Sequence, residues 1–181
     1  MKKILFPLLL LIGAQNIQAQ ASDKTISFDG IGALQLGMSK AELEKLLKIK
    51  IVLKHIHVDE VYVETVKAKY MGVDVELDLM RSEDKVAILE EIGITNAGFK
   101  TADGVGIGTD QTTLINKYEK DLLIIQPAYE DGPEWKISKT RTTITHSKTE
   151  SGYHAAIIYT LEKNKVIAIR VGPTPEFRDR E

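Results

Sequence analysis

Hydrophobic and charged residues alternate strictly from Val73 to Leu79. Val73, Val75, Leu77 and Leu79 point one way, and Asp74, Glu76 and Asp78 the other. A period of two predicts a strand with one covered and one wet face, as in an antiparallel sheet. Shorter runs predict strands at Val86–Leu89, Tyr153–Tyr159 and Val166–Ile169. More are expected at Ile49–Val58, Val61–Tyr70, Leu122–Gln126, Trp135–Lys139 and Thr142–Thr149. Ser82-Glu83-Asp84 and Lys163-Asn164 have the composition of hairpin turns, and Asp131-Gly132-Pro133 that of a loop turn. Two stretches change to helical spacing. Leu43, Leu46 and Leu47 share one face of a helix over Lys40–Lys48, and Leu114, Ile115 and Tyr118 do the same further on. Both helices are too short to stand alone and must dock on a sheet.

The chain resembles itself. Gly30-Ile-Gly-Ala-Leu-Gln-Leu-Gly-Met-Ser39 lies over Thr101-Ala-Asp-Gly-Val-Gly-Ile-Gly-Thr-Asp110, so that Leu34 falls on Val105, Leu36 on Ile107, Gly37 on Gly108 and Ser39 on Asp110. Ser39 and Asp110 are each placed to cap the following helix with a side-chain oxygen. Glu42, three residues after Ser39, completes a capping box. The strand–turn–strand pattern from Val73 to Leu89 then recurs from Tyr153 to Ile169, and the second copy is longer between Tyr129 and Thr149. The expected fold class is therefore α+β: two tandem units, each a short helix packed on an antiparallel sheet. They span residues 22–97 and 98–172, with a C-terminal tail over 173–181.

Residues 1–20 read as a cleavable signal peptide. Lys2 and Lys3 are followed by an apolar run from Ile4 to Ile12 and a small, polar stretch from Gly13 to Ala21. The apolar run is under half of the roughly 20 residues that a bilayer span requires. Cleavage after Ala19 and after Ala21 both fit. The expected location is periplasmic or secreted, with no membrane span once the signal is removed. Cysteine is absent, which excludes disulfides, thiolate metal sites and a cysteine nucleophile, so stability must come from a packed core. The formal charge of −2 becomes −4 when Lys2 and Lys3 leave with the signal. Both signs are mixed along the chain, without the basic stripe that nucleic-acid binding requires.

A strand ending in Leu-Gly-Met-Ser, then a short helix, then antiparallel strands, repeated as Ile-Gly-Thr-Asp, resembles the tandem-repeat fold of secreted beta-lactamase inhibitory proteins. It is also similar to the single-unit fold of the small outer-membrane assembly lipoproteins. The resemblance covers Ile26 to Gly172 and implies paired sheets whose concave face grips a partner protein. The chain departs from both groups in lacking their cysteines. Its aromatic content is 6 %, low for a gripping surface. Fold carries over more readily than activity, and beta-lactamase inhibition is not inferred.

Candidate chemistry is sparse. His55, His57 and Asp59 share one face of an expected strand at a spacing that suits Zn²⁺ or Cu²⁺. A solvated strand face, with Ile56 and Val58 on the opposite face, fits them better, and no metal ligand is assigned. His146 and His154 flank an expected hairpin near Ser147, Glu150 and Ser151, but no nucleophile-elbow motif accompanies them, and they read as exposed turn residues. Gly104-Val-Gly-Ile-Gly108 lacks the lysine of a phosphate loop and the spacing of a dinucleotide fingerprint. No catalytic residue and no cofactor is assigned. The best contact aromatics are Tyr129, Trp135 and Tyr153, all in or beside the longer part of the second copy. These features point to an exported, non-catalytic binding protein whose partner is another exported protein. A small-ligand or metal-binding module of the cell envelope is the alternative.

Overall fold

The alternation from Val73 to Leu79 becomes one strand of a wide sheet, with all four aliphatic side chains buried. The computed structural model describes residues 24–53, 62–81, 86–130, 136–147 and 155–174. Its elements are β1 (Thr25–Ser27), β2 (Gly30–Ile31), β3 (Leu34–Gln35), α1 (Lys40–Leu47), β4 (Tyr62–Tyr70), β5 (Val73–Arg81) and β6 (Ala87–Ile94). They continue with β7 (Lys100–Thr101), α2 (Gln111–Lys117), β8 (Leu122–Glu130), β9 (Lys136–Ser147), β10 (Ala155–Glu162) and β11 (Lys165–Pro173).

Seven strands form one antiparallel sheet in the order β4-β5-β6-β11-β10-β9-β8, and four short ones form a second sheet, β3-β2-β1-β7. The pairing registers align side chains into rows that cross the large sheet. One row runs Ala68, Val75, Ile94, Ile169, Tyr159, Ile144, Ile125 from β4 to β8. The next runs Val66, Leu77, Ile92, Val171, Ile157, His146, Leu123. Ile26, Ile31 and Leu34 of the small sheet, Leu43 of α1 and Leu114 of α2 join these rows in a single core cluster. The small sheet and the helices therefore cover the apolar face. The other face carries Lys67, Lys69, Asp74, Glu76, Asp78 and Arg170.

The two halves of the chain meet where β6 pairs with β11, and only Ile92–Ile94 and Ile169–Val171 are in register there. The first residues of each strand run past its neighbour and find other partners. Gly37 N–H donates to the Leu89 carbonyl at 2.7 Å, and Leu89 N–H donates to that of Met38 at 2.8 Å. Likewise Gly108 N–H donates to the Val166 carbonyl at 2.8 Å, and Val166 N–H to that of Thr109 at 2.9 Å. Gly37 and Gly108 take φ of +81° and +89°, which a side chain would resist, to turn the chain from this pairing into a helix. Ser39 then caps α1 within a complete capping box, and Asp110 caps α2 by accepting from Thr113 N–H at 2.9 Å. The likeness of Leu-Gly-Met-Ser to Ile-Gly-Thr-Asp thus has one physical cause: both pair with a strand start and then open a helix.

The expected α+β class of helix-on-sheet tandem units is corrected by this architecture. The protein is mostly β, with two sheets and two short helices. Strong caps announce a helix even when, as here, it holds eight or seven residues. The halves do not carry separate sheets, because β6 and β11 fuse them into one. Strand expectations fared unevenly. Leu122–Gln126 extends to Glu130, and most of Trp135–Lys139 and Thr142–Thr149 belongs to the single strand β9. Ile49 to Leu53 is not strand. Lys163 and Asn164, with φ of 51° and 62°, form the expected two-residue hairpin between β10 and β11, and the positive φ values match the strand twist. The turns at Ser82–Asp84 and Asp131–Pro133 lie outside the described residues. Among the described residues, no helix is long and apolar enough to cross a membrane.

Candidate functional site

Strand β8 is an edge: among the described residues it pairs with β9 alone. The apolar row through Tyr159 and Ile144, both fully buried, continues to Ile125, which is 50 % exposed. The core face therefore runs out from under its cover at this edge. Leu122 and Tyr129 of β8 are exposed at 49 % and 54 %, and Ile137 of β9 at 61 %. Tyr129 stands opposite Ile137. Four large apolar side chains thus lie along one hairpin.

Pro127, which has no N–H to give, sits where the β8–β9 register shifts. Two steps along β8, from Pro127 to Tyr129, match five along β9, from Thr142 to Ile137. The extra residues fold around Ser138, whose buried hydroxyl accepts from Thr140 N–H at 3.4 Å and Arg141 N–H at 3.2 Å. A proline and a bulge of this kind interrupt an edge and discourage indiscriminate pairing.

Tyr129 is the one expected contact aromatic that the structure places, and its exposure is compatible with that role. Trp135 and Tyr153 lie outside the described residues, as do His55, His57, Asp59 and His154. The expectation that His146 is an exposed turn residue is wrong. It stands inside β9 at 5 % exposure, the polar member of an otherwise aliphatic row.

Its ring stacks on Tyr118, with centroids 4.1 Å apart and planes at 28°, and meets the edge of Phe28 at 4.9 Å. Nε2 lies 2.9 Å from Asp121 Oδ2, whereas the buried Nδ1 has no hydrogen-bond partner. Burial lowers the pKa of His146 below the ordinary histidine value, against the opposing pull of Asp121 and Asp103. Burial also raises the pKa values of Tyr118 and Tyr159, keeping both as neutral phenols. The Tyr118 hydroxyl is 2.7 Å from that of Thr101. Ser147 follows His146 in a regular strand, so its side chain projects from the opposite face and cannot share a proton with the imidazole. This closed cluster is built for packing rather than for attack on a substrate. Its signal in the sequence was the parity of His146 with Ile144.

On the charged face, a shallow depression of about 470 Å³ is lined by Lys67, Lys69, Asp74, Glu76 and Asn96, among others. Lys69 pairs with Asp74 at 2.6 Å and Lys67 with Glu76 at 3.0 Å, directly across β4 and β5. The cations there are engaged by the anions beside them. No group of three or more metal-ligating side chains occurs among the described residues.

No protein-family model, curated protein or solved structure matches the chain. The resemblance carried by Gly37–Ser39 and Gly108–Asp110 gains no relative from these comparisons.

Proposed function

We propose that this is an exported, non-catalytic binding protein that holds an extended segment of another exported protein along the outer edge of β8. The observation that carries this reading is the apolar row that is buried through Ile144 and emerges at Ile125 on an edge strand. An added strand would continue that row over Ile125, while its backbone pairs with the outer side of β8 and its alternate side chains meet Leu122 on the opposite face. Tyr129 and Ile137 would flank it and favour a segment with large apolar residues. A binding role fits the packing of His146, which is buried against Tyr118 and Phe28 while it contacts the half-exposed Asp121.

Photo-crosslinking in the exported fraction tests this. A crosslinker at Ile125 or Tyr129 should capture a defined extended segment of one partner. The same group at Asp74, on the opposite face, should not, and Ile125→Lys should abolish capture through Tyr129. Equal capture at Asp74 and Ile125, or no capture at either β8 position, would overturn the reading.

A further inference from the structure

Asp121 is the residue immediately before β8, and His146 stands opposite Leu123, the second residue of that strand. The Nε2–Asp121 contact at 2.9 Å therefore ties β9 to the junction where α2 gives way to β8. Asp121 N–H also donates to the Tyr118 carbonyl at 3.0 Å, so the junction is a single turn bearing both the carboxylate and the ring on which His146 stacks.

In the neutral ring, Nε2–H donates to Asp121 and Nδ1 is a bare acceptor. A second proton would turn Nδ1 into a buried donor with no acceptor, which is the more costly state. The proton would also strengthen the attraction to Asp121, but that carboxylate is 48 % exposed and water screens the gain. The groups facing the ring are Tyr118 and Asp121 from the α2–β8 junction, Asp103 from the turn after β7, and the uncharged Phe28 from the β1–β2 turn. Tyr159 of β10 lies beyond Tyr118, with ring centroids 6.5 Å apart.

We propose that the His146–Asp121 contact is an acid-released latch on the entry of β8: closed around a neutral imidazole, it opens on protonation and frees the α2–β8 junction from β9. Its regulatory consequence, loosening of the edge on which a partner strand docks, rests on the binding role proposed above. The latch itself does not. Because burial lowers the folded-state pKa of His146 from 6.5, the closed form is fully favoured above pH 6.5. That advantage is lost as the pH falls through the lower, folded-state value.

The experiment is amide hydrogen exchange at pH 7 and pH 5 on the exported chain without partner, combined with an NMR titration of the His146 ring. The expected titration midpoint lies below 6.5. Protection of the first β8 amides, corrected for intrinsic rate, should fall about sixfold between pH 7 and pH 5 for a depression of one unit, and no more than about 25-fold for a larger one. Protection in β5 should hold, and in His146→Gln the β8 loss should disappear. A midpoint at or above 6.5 would overturn the latch, as would equal loss in β5 and β8. The wild-type titration decides the matter even if the variant does not fold. Loss of β8 crosslinking with these results intact would sink the partner reading alone.

Discussion

Arg170 Nη1 lies 2.6 Å from Glu91 Oε1, across the shortest run of pairing in the large sheet. The Glu91 side chain is 4 % exposed and lies over Gly172, whereas Arg170 reaches over Gly93, its partner in the register. Two glycines thus leave room for one ion pair to lie flat over the join between β6 and β11.

Substitution of these glycines should separate two kinds of crowding. A Cβ at Gly172 would stand 2.9 Å from Glu91 Cγ and 3.1 Å from the Glu90 carbonyl oxygen, closer than packing allows. Gly172→Ala should cost about 1–3 kcal/mol, as overpacking does. At Gly93 the nearest atoms would be at 3.6 Å and 3.7 Å, which is ordinary contact. Gly93→Ala should therefore be neutral, or stabilising by under about 1 kcal/mol, since alanine has less freedom to lose on folding. Urea denaturation of both variants measures the difference. Equal effects would show that the strand shifts to absorb the methyl at either place.

Removing the cation should hurt more than removing the pair. Arg170→Met leaves Glu91 buried without its guanidinium, for a loss of about 2 kcal/mol, below the full cost of a broken buried pair because Arg170 is itself half exposed. Adding Glu91→Gln to that variant should restore part of the stability. A double-mutant cycle by urea denaturation reads the coupling, expected at about 1–2 kcal/mol. An additive cycle would show that the pair contributes nothing across the join.

The two helix caps should respond to different probes. Ser39→Ala removes the hydroxyl that accepts from Glu42 N–H and should cost about 1 kcal/mol in thermal or urea unfolding. Asp110 acts through charge as well. Its bonds to the Thr113 hydroxyl and N–H lower its pKa, so its contribution is full above the ordinary aspartate range and is lost as the pH falls through the lowered value. Asp110→Asn keeps a capping oxygen and should remove this portion of the acid dependence. An unchanged stability profile between neutral pH and pH 3 would contradict that role.

How much of this was legible depends on the range of each interaction. The strand at Val73–Leu79, the caps at Ser39 and Asp110 and the hairpin at Lys163-Asn164 are set by neighbours in sequence, and local pattern reveals them. The pairing of Ile92–Ile94 with Ile169–Val171 is not. Each segment offers the same alternating edge to any strand, and only the whole chain selects the partner. The α+β reading failed at that step, since two separate sheets became one. His146 was misread for the same reason, because the groups that bury it come from the β1–β2 turn and the end of α2. Its parity with Ile144 was visible, but a histidine on an apolar face needs a known cover before burial follows. The β8 edge was half legible: Tyr129 stood out as an aromatic, whereas the exposure of Ile125 required knowing where the covering layer stops.

The hydroxyl of Tyr118 offers the sharpest check on the cluster behind the latch. It lies 2.7 Å from Thr101 Oγ1, which also accepts from Val105 N–H at 3.2 Å. The bond ties the end of α2 to β7, in the small sheet, and all the groups involved are buried. Tyr118→Phe keeps the ring that stacks on His146 but leaves the Thr101 hydroxyl short of a partner. The expected loss is about 1–2 kcal/mol, with no change in the His146 titration. Thr101→Val alone should also destabilise, by removing the acceptor used by Val105 N–H. Together with Tyr118→Phe it should cost less than the two separately, because neither hydroxyl is then stranded. Urea unfolding of the four proteins, with the His146 titration repeated in Tyr118→Phe, settles both points. A shifted midpoint in that variant would mean that the phenol acts on the imidazole through its charge distribution and not only through the stacked ring.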